Sequence, residues 1–232
     1  MNEENIDKVL REAAEAPLPV DPALLDRVKI AMRPSLTPVR PLPSSGLLIA
    51  GLILVCAMVG IAGALALGPR GVVKMNALEI AAIFPALGAM MWLSAVYYAG
   101  SMIPGSSHRA PRWTLPASIG LAMIAIFGIL FHDYATGNFV PQGLVCLKAG
   151  LLHAVPAALA SWWLLHRGFA TDSVAAGLAQ GTLAGLAGVL MLELHCVNFE
   201  APHVMLWHTA VVPLSAGGGA LFFHFRKRQL TA

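Results

Sequence analysis

The sequence predicts an all-α membrane protein: a six-helix transmembrane bundle preceded by a short helical head. Hydrophobic residues make up 57% of the 232 residues, and charged residues make up only 12%, about half the charged fraction of a soluble domain. Six apolar segments have the roughly 17–25 residues that a helix needs to cross a bilayer. None of them alternates apolar and polar residues as a transmembrane β-strand does. The chain should therefore divide into a polar head, 1–45, and a transmembrane domain, 46–232.

The head holds seven of the twelve acidic residues and six of the fifteen Lys and Arg residues. Its start lacks the basic, apolar and small-residue regions of a secretory signal peptide. Two short amphipathic helices are predicted, the second over 23–32. Helices this short cannot bury a core of their own. Since their polar faces carry both signs of charge, a protein partner is favoured over a lipid surface. The apolar residues predicted to bind that partner are Ile6, Val9, Leu10, Ala13, Leu24 and Val28.

The six predicted spans cover approximately residues 46–67, 78–99, 115–131, 144–165, 174–194 and 204–225. The fifth carries Gly177, Gly181, Gly185 and Gly188 at four- and three-residue spacing. Small residues at this spacing let membrane helices approach closely, so this span should pack tightly. If the N-terminus is cytoplasmic, twelve of the fifteen Lys and Arg residues lie on the cytoplasmic side. The positive-inside rule therefore predicts that both termini are cytoplasmic.

This topology places two cysteines at the outer side of the membrane. Cys146 begins the fourth span and Cys196 ends the fifth. If the two helix ends are adjacent, the cysteines could form a disulfide or a reactive dithiol in an oxidising compartment. Cys56 lies among apolar residues of the first span, where a small buried side chain is expected.

A metal site is an alternative for the same region, because thiolates and imidazoles bind zinc and copper. Its candidate ligands are Cys146, His195, Cys196 and His203. Against it, His203 and His208 would lie about 140° apart on a straight α-helix, which is poor geometry for a shared ion. Trp207 and His208 are instead predicted to be interfacial packing residues. The third alternative is that the outer histidines serve only as interfacial anchors.

The sequence gives no sign of an enzyme. It contains no nucleophile elbow, HExxH, P-loop or GxGxxG motif, and no small-molecule substrate is expected. The near absence of charges in the span centres disfavours a transporter. Two other classes stay open from the residues alone: a membrane metal- or haem-binding redox protein, and a structural membrane subunit.

Several stretches together resemble the NrsF-like family of bacterial anti-sigma factors. These are IDKVLREAAEAPLP in the head, PVRPLPS before the first span, SMIPGSSHR after the second, and the cysteine blocks GLVCLKAG and LHCVNFEAPHVMLWH. The chain departs from the family pattern in its second head helix.

The resemblance implies a six-helix protein of the bacterial inner membrane, in contact with lipid, whose head holds an extracytoplasmic-function sigma factor inactive. It implies that Cys146 and Cys196 sense oxidants or heavy metals. It also implies no resident cofactor and no direct contact with nucleic acid. A metal ion held transiently at the outer cysteines remains open.

Overall fold

The computed structural model describes residues 5, 21–32, 43–102, 111–168, 170 and 172–231. These residues form helices and their connections, with no β-strand among them, which confirms the all-α class. The chain divides into two compact units, Met1–Pro41 and Leu42–Ala232.

In the first unit, helix α1 spans Pro22–Met32. Asp21 stabilises its start, because Oδ1 accepts a hydrogen bond from the N–H of Ala23 at 2.9 Å. Leu24 and Val28 project from α1 with 56% and 46% of their surface exposed. The other residues predicted to bind a partner lie outside the described residues; they are Ile6, Val9, Leu10 and Ala13.

The second unit is a helical bundle. Its elements are α2 (Ser45–Leu67), α3 (Arg70–Lys74), α4 (Ala77–Ser101), α5 (Thr114–Leu130), α6 (Phe139–Leu165), α7 (Ser173–His195), α8 (Ala201–His203), a π-turn (Val204–His208) and α9 (Thr209–Thr231). Within the described residues, five helical segments are long and apolar enough to cross a membrane: α2, α4, α6, α7 and the continuous stretch Ala201–Arg226. Helix α5 is apolar but has only 17 residues. These features are those of a membrane protein.

Helix α6 begins five residues earlier than its predicted start at residue 144. Asn138 adopts a left-handed conformation (φ 56°) directly before the helix. Pro141 is tolerated in the first turn because the N–H that it lacks would have no intrahelical acceptor there. Pro141 and Gly143 therefore lie inside the helix.

The connections at one end of the bundle are joined to one another; this end is called the cysteine end because Cys146 and Cys196 lie there. The carbonyl of Asp133, after α5, accepts a 2.6 Å hydrogen bond from the N–H of Ala201. The rings of Phe131 and Phe199 stack with their centroids 5.3 Å apart. His195, at the end of α7, bonds to the carbonyl of Gly68, which follows α2. The loops that follow α2, α5 and α7 therefore meet at the cysteine end.

Helix α7 forms the centre of the bundle, and every residue from Ala176 to Glu193 is buried. Its glycines allow this. A Cβ added at Gly181 would lie 2.7 Å from the Cα of Ala216 in α9, and at Gly185 it would lie 2.9 Å from the Cα of Val212. Real side chains do not tolerate such distances, so only glycine fits. The close packing predicted from the glycine spacing is confirmed.

Candidate functional site

Two cysteines and two histidines converge at the cysteine end. Cys146, Cys196, His203 and His208 each offer one donor atom, and these four atoms all lie within 4.8 Å of one another. The two Sγ atoms are 3.6 Å apart, and Cys196 Sγ is 3.7 Å from His203 Nε2. Cys146 is half-buried, whereas the other three side chains are buried. Both cysteines are free thiols.

Three elements hold this Cys₂His₂ cluster. Cys196 terminates α7, and its N–H donates to the carbonyl of Leu192 at 2.7 Å. Cys146 is the eighth residue of α6 and does not begin the helix as predicted, because α6 starts at Phe139. The amide of Asn198 ties the loop after α7 to α6 by donating to Gln142 Oε1 at 2.9 Å.

The two histidines share one side of the last span because of the π-turn Val204–His208. A π-turn bonds residues five positions apart, so such residues lie on nearly the same face. The ring centroids of His203 and His208 are 5.3 Å apart. The prediction that these residues point in divergent directions was wrong, since it assumed a regular α-helix.

His208 is fully buried and pairs with a buried acid on the neighbouring helix. Its Nδ1 lies 2.6 Å from Glu193 Oε1, and both side chains have no exposed surface. The carboxylate accepts a hydrogen bond from Nδ1–H, so that in the neutral ring the lone pair lies on Nε2. This Nε2 has no hydrogen-bond partner among the described residues, and neither does Nδ1 of His203. The prediction that His208 is interfacial packing was wrong, because the residue is inside the bundle and paired.

Two other residues of the predicted rim lie elsewhere. His195 is not part of the cluster: its Nδ1 bonds to the carbonyl of Gly68 at 2.8 Å. The side chain of His195, which was predicted as a candidate ligand, therefore points away from the cluster. Trp207 packs against Gly143 of α6, and its ring centroid is 5.5 Å from that of Phe139.

The hydrogen bond with Cys146 and the burial of the side chain raise the pKa of the Cys196 thiol above its ordinary value. Burial disfavours a thiolate because the charge loses its hydration. Cys196 therefore remains a neutral thiol near neutral pH until a metal cation displaces its proton or an oxidant takes electrons from its sulfur.

An acidic cavity of about 670 Å³ lies beside the cluster. Glu79, Asp133 and Glu200 line it, and no Lys or Arg is among its lining residues within the described part of the chain. Asn198 connects the two features: it lines the cavity, and its carbonyl accepts from Cys196 Sγ at 3.7 Å. The cavity concentrates cations at this end of the bundle.

Replacement of Glu193 by alanine should lower the free energy of unfolding by about 1–3 kcal/mol, because it leaves the buried Nδ1–H of His208 without an acceptor. Glu193→Gln retains an acceptor for Nδ1–H and should cost less. Glu200→Gln is the control, since Glu200 is half-buried and accepts only a 3.3 Å bond from Asn198. Unfolding of the purified protein in detergent measures all three; equal losses in all of them would contradict a specific role for the pair.

Comparison with known families matches residues 34–226 to the family described as NrsF, negative regulator of sigma F. The match spans most of the chain and contains the whole Cys₂His₂ cluster. The chain belongs to the NrsF family. Its function is accordingly negative regulation of a sigma factor, and the resemblance found in the sequence is confirmed. No curated protein and no solved structure matches the chain. The NrsF match begins after α1, so Leu24 and Val28 lie outside it.

Sequence reasoning missed His208 and Glu193 as partners in this site. A signal for Glu193 was present, because an ionisable residue within an apolar membrane helix usually has a specific partner or function. No comparable signal identified His208, since the π-turn that orients it has no reliable sequence pattern.

Proposed function

We propose that the protein is an anti-sigma factor of the bacterial inner membrane that sequesters an extracytoplasmic-function sigma factor and releases it on a signal received at Cys146 and Cys196. The observation that carries the proposal is the NrsF family match over residues 34–226, which includes both cysteines. Regulation by binding requires no catalysis. The family match also favours this function over a redox carrier or a structural subunit.

In this proposal α5 also crosses the membrane, which brings the number of spans to six, and both termini face the cytoplasm. The 17 residues of α5 give a helix of about 26 Å, close to the roughly 30 Å of the hydrocarbon core. The distribution of Lys and Arg supports the orientation. The cysteine end then faces outward, where signals from outside the cell arrive, and the head faces the sigma factor.

The head would bind through its apolar stripes. In α1, Leu24, Leu25 and Val28 lie on one face and are all more than 40% exposed. An apolar helix face of this kind fits a groove on a partner protein. Ile6, Val9, Leu10 and Ala13 would extend the surface from the part of the head outside the described residues.

An oxidant would act by joining the two thiols. Cys146 and Cys196 would each lose one proton and one electron, and a two-electron oxidant such as a peroxide would be reduced as the Sγ–Sγ bond forms. The sulfur atoms, now 3.6 Å apart, would approach to about 2.05 Å. This movement pulls the end of α7 against α6. Release of the sigma factor requires that the head bind it less tightly in the resulting state.

The head contacts can be tested with a Leu24→Asp/Val28→Asp double variant and a reporter gene that depends on the sigma factor. Burial of each apolar side chain contributes about 1.5–3 kcal/mol, so the double variant should bind at least about a hundredfold more weakly. The reporter should become active without any stress signal. Immunoblotting of the membrane fraction verifies that the variant accumulates.

Ile30→Asp is the matched control. Ile30 is 70% exposed in the same helix but lies on the face opposite Leu24 and Val28, at 100° per residue. The reporter should stay silent with this variant. A silent reporter in the double variant, or an active one in both variants, would refute binding through this face of α1.

A further inference from the structure

We propose that Cys146, Cys196, His203 and His208 form a four-coordinate site for a thiophilic divalent cation, Zn²⁺ or Cd²⁺, and that Glu193 fixes the orientation of His208. The existence of the site follows from its geometry; its role in signal reception rests on the proposed function.

The distances within the cluster fit a tetrahedral ion. Bond lengths of about 2.3 Å for Zn–S and 2.0–2.1 Å for Zn–N place two sulfur ligands roughly 3.8 Å apart and a sulfur and a nitrogen roughly 3.6 Å apart. The observed distances are 3.6 Å between the Sγ atoms of Cys146 and Cys196 and 3.7 Å between Cys196 Sγ and His203 Nε2. One ion can therefore contact these donors with little rearrangement.

The pairing of His208 with Glu193 is an independent indication. Metal-bound histidines typically donate their second N–H to a carboxylate, which fixes the tautomer and orients the ring. His208 has this arrangement, with Nδ1 2.6 Å from Glu193 Oε1. Its Nε2 is buried and without a hydrogen-bond partner among the described residues. An unpartnered buried lone pair is costly, and a cation at Nε2 would remove that cost.

The charges also suit a divalent cation. Binding would release one proton from each thiol, so two thiolates and two neutral imidazoles would surround a dipositive ion. The ion and its four ligands then carry no net charge, and the buried Glu193 carboxylate beside them keeps its hydrogen bond to His208. The nearby cavity lined by Glu79, Asp133 and Glu200 supplies a cation-attracting approach. Cys146, the half-buried member, lies on the accessible side of the cluster.

The proposed site differs from a disulfide in what it connects. A disulfide would join only α6 and the end of α7. A bound cation would also hold the start of the last span, because His203 ends α8 directly before the π-turn and His208 ends the π-turn. The histidines thus extend the signal-receiving unit from two elements to three.

Titration of the full-length protein with Co²⁺ tests the proposal, using reduced protein in lipid nanodiscs. We expect one equivalent of Co²⁺ to give the visible absorption of a tetrahedral ion with sulfur-to-cobalt charge transfer, and Zn²⁺ to displace it. His203→Ala and His208→Ala should each lose the tetrahedral spectrum. Glu193→Gln should weaken binding by about 10–100-fold.

His195→Ala is the matched control, because His195 is adjacent in sequence to Cys196 but bonded away from the cluster; it should bind Co²⁺ as the wild type does. His203→Cys retains a ligand and should restore a tetrahedral spectrum with additional charge transfer, which separates loss of a ligand from loss of fold. Absence of a tetrahedral spectrum in the wild type, or an unchanged spectrum in both histidine-to-alanine variants, would overturn the proposal.

This outcome is separable from that of the proposed function, which a sigma-dependent reporter in cells measures. A cysteine-dependent response to oxidants without any cobalt binding would overturn the metal site alone. Cobalt binding by a protein whose reporter response ignores both cysteines would overturn the sensing role alone.

Discussion

Replacement of Cys146 or Cys196 by serine is expected to leave the sigma factor repressed when cells are exposed to an oxidant or to cadmium. Each substitution removes one of the two sulfur atoms that lie 3.6 Å apart at the cysteine end. Neither a disulfide nor a two-thiolate metal site can then form. Repression in unstressed cells should be unchanged, because the head is intact. A sigma-dependent reporter with and without each stress measures the effect.

Cys56→Ser is the control for this experiment. Cys56 is buried in α2, where its Sγ is 3.9 Å from Ser161 Oγ, and it has no contact with the cluster. Its variant should respond to both stresses as the wild type does. Trapping of free thiols before and after the oxidant adds a chemical readout: the wild type should lose two reactive thiols, and the serine variants none. A full response in both serine variants would exclude sensing by the pair.

A single methyl group at Gly181 is expected to destabilise the bundle strongly. In Gly181→Ala the new Cβ would lie 2.7 Å from the Cα of Ala216, and two backbones cannot yield as a flexible side chain can. Overpacking of this kind costs about 1–3 kcal/mol. Gly181→Ala/Gly188→Ala should cost more, because Gly188 lies against the backbone of α6 at Gly150. Unfolding in mixed micelles, followed by circular dichroism, gives the size of the effect.

Gly217→Ala makes the same chemical change in α9 where a Cβ would meet no atom within 4 Å. Alanine favours a helix over glycine by about 0.5–1 kcal/mol, so this control should be neutral or stabilising. The two substitutions thus have opposite expected signs. Destabilisation by both, or by neither, would show that the contact between α7 and α9 is not what requires glycine.

The positions of the membrane helices were predictable because lipid imposes a simple demand: long apolar helices that satisfy their own backbone hydrogen bonds. The exception is instructive. The start of α6 was predicted at about residue 144, whereas the helix begins at Phe139. In the structure Pro141 occupies the first turn, and Gly143 makes room for Trp207 of the last span. Tertiary packing set this boundary, and the local sequence could not indicate it.

The site was only half predictable for a similar reason. Topology alone placed Cys146 and Cys196 at the same end of the bundle, and the structure brings their sulfur atoms together. The orientation of His208 could not be predicted because it depends on a π-turn. A π-turn rotates the following side chains about the helix axis and leaves no mark in the composition. His195 was predicted as a candidate ligand, yet its side chain bonds to the carbonyl of Gly68 and not to the cluster. In the head, the apolar stripe identifies Leu24 and Val28 as exposed apolar residues but carries no information about the surface of a partner.

The buried helix α7 also determines how far an event at Cys196 extends. Its 23 residues make a rod of about 34 Å, and no part of its middle touches lipid that could absorb a displacement. At the far end Asp172 caps the helix through Oδ1 and pairs through Oδ2 with Arg112 at 2.7 Å. A shift of Cys196 along the helix axis is therefore a shift of Asp172 relative to the segment before α5. The same rod that fills the core can thus transmit a mechanical displacement from one face of the bilayer to the other.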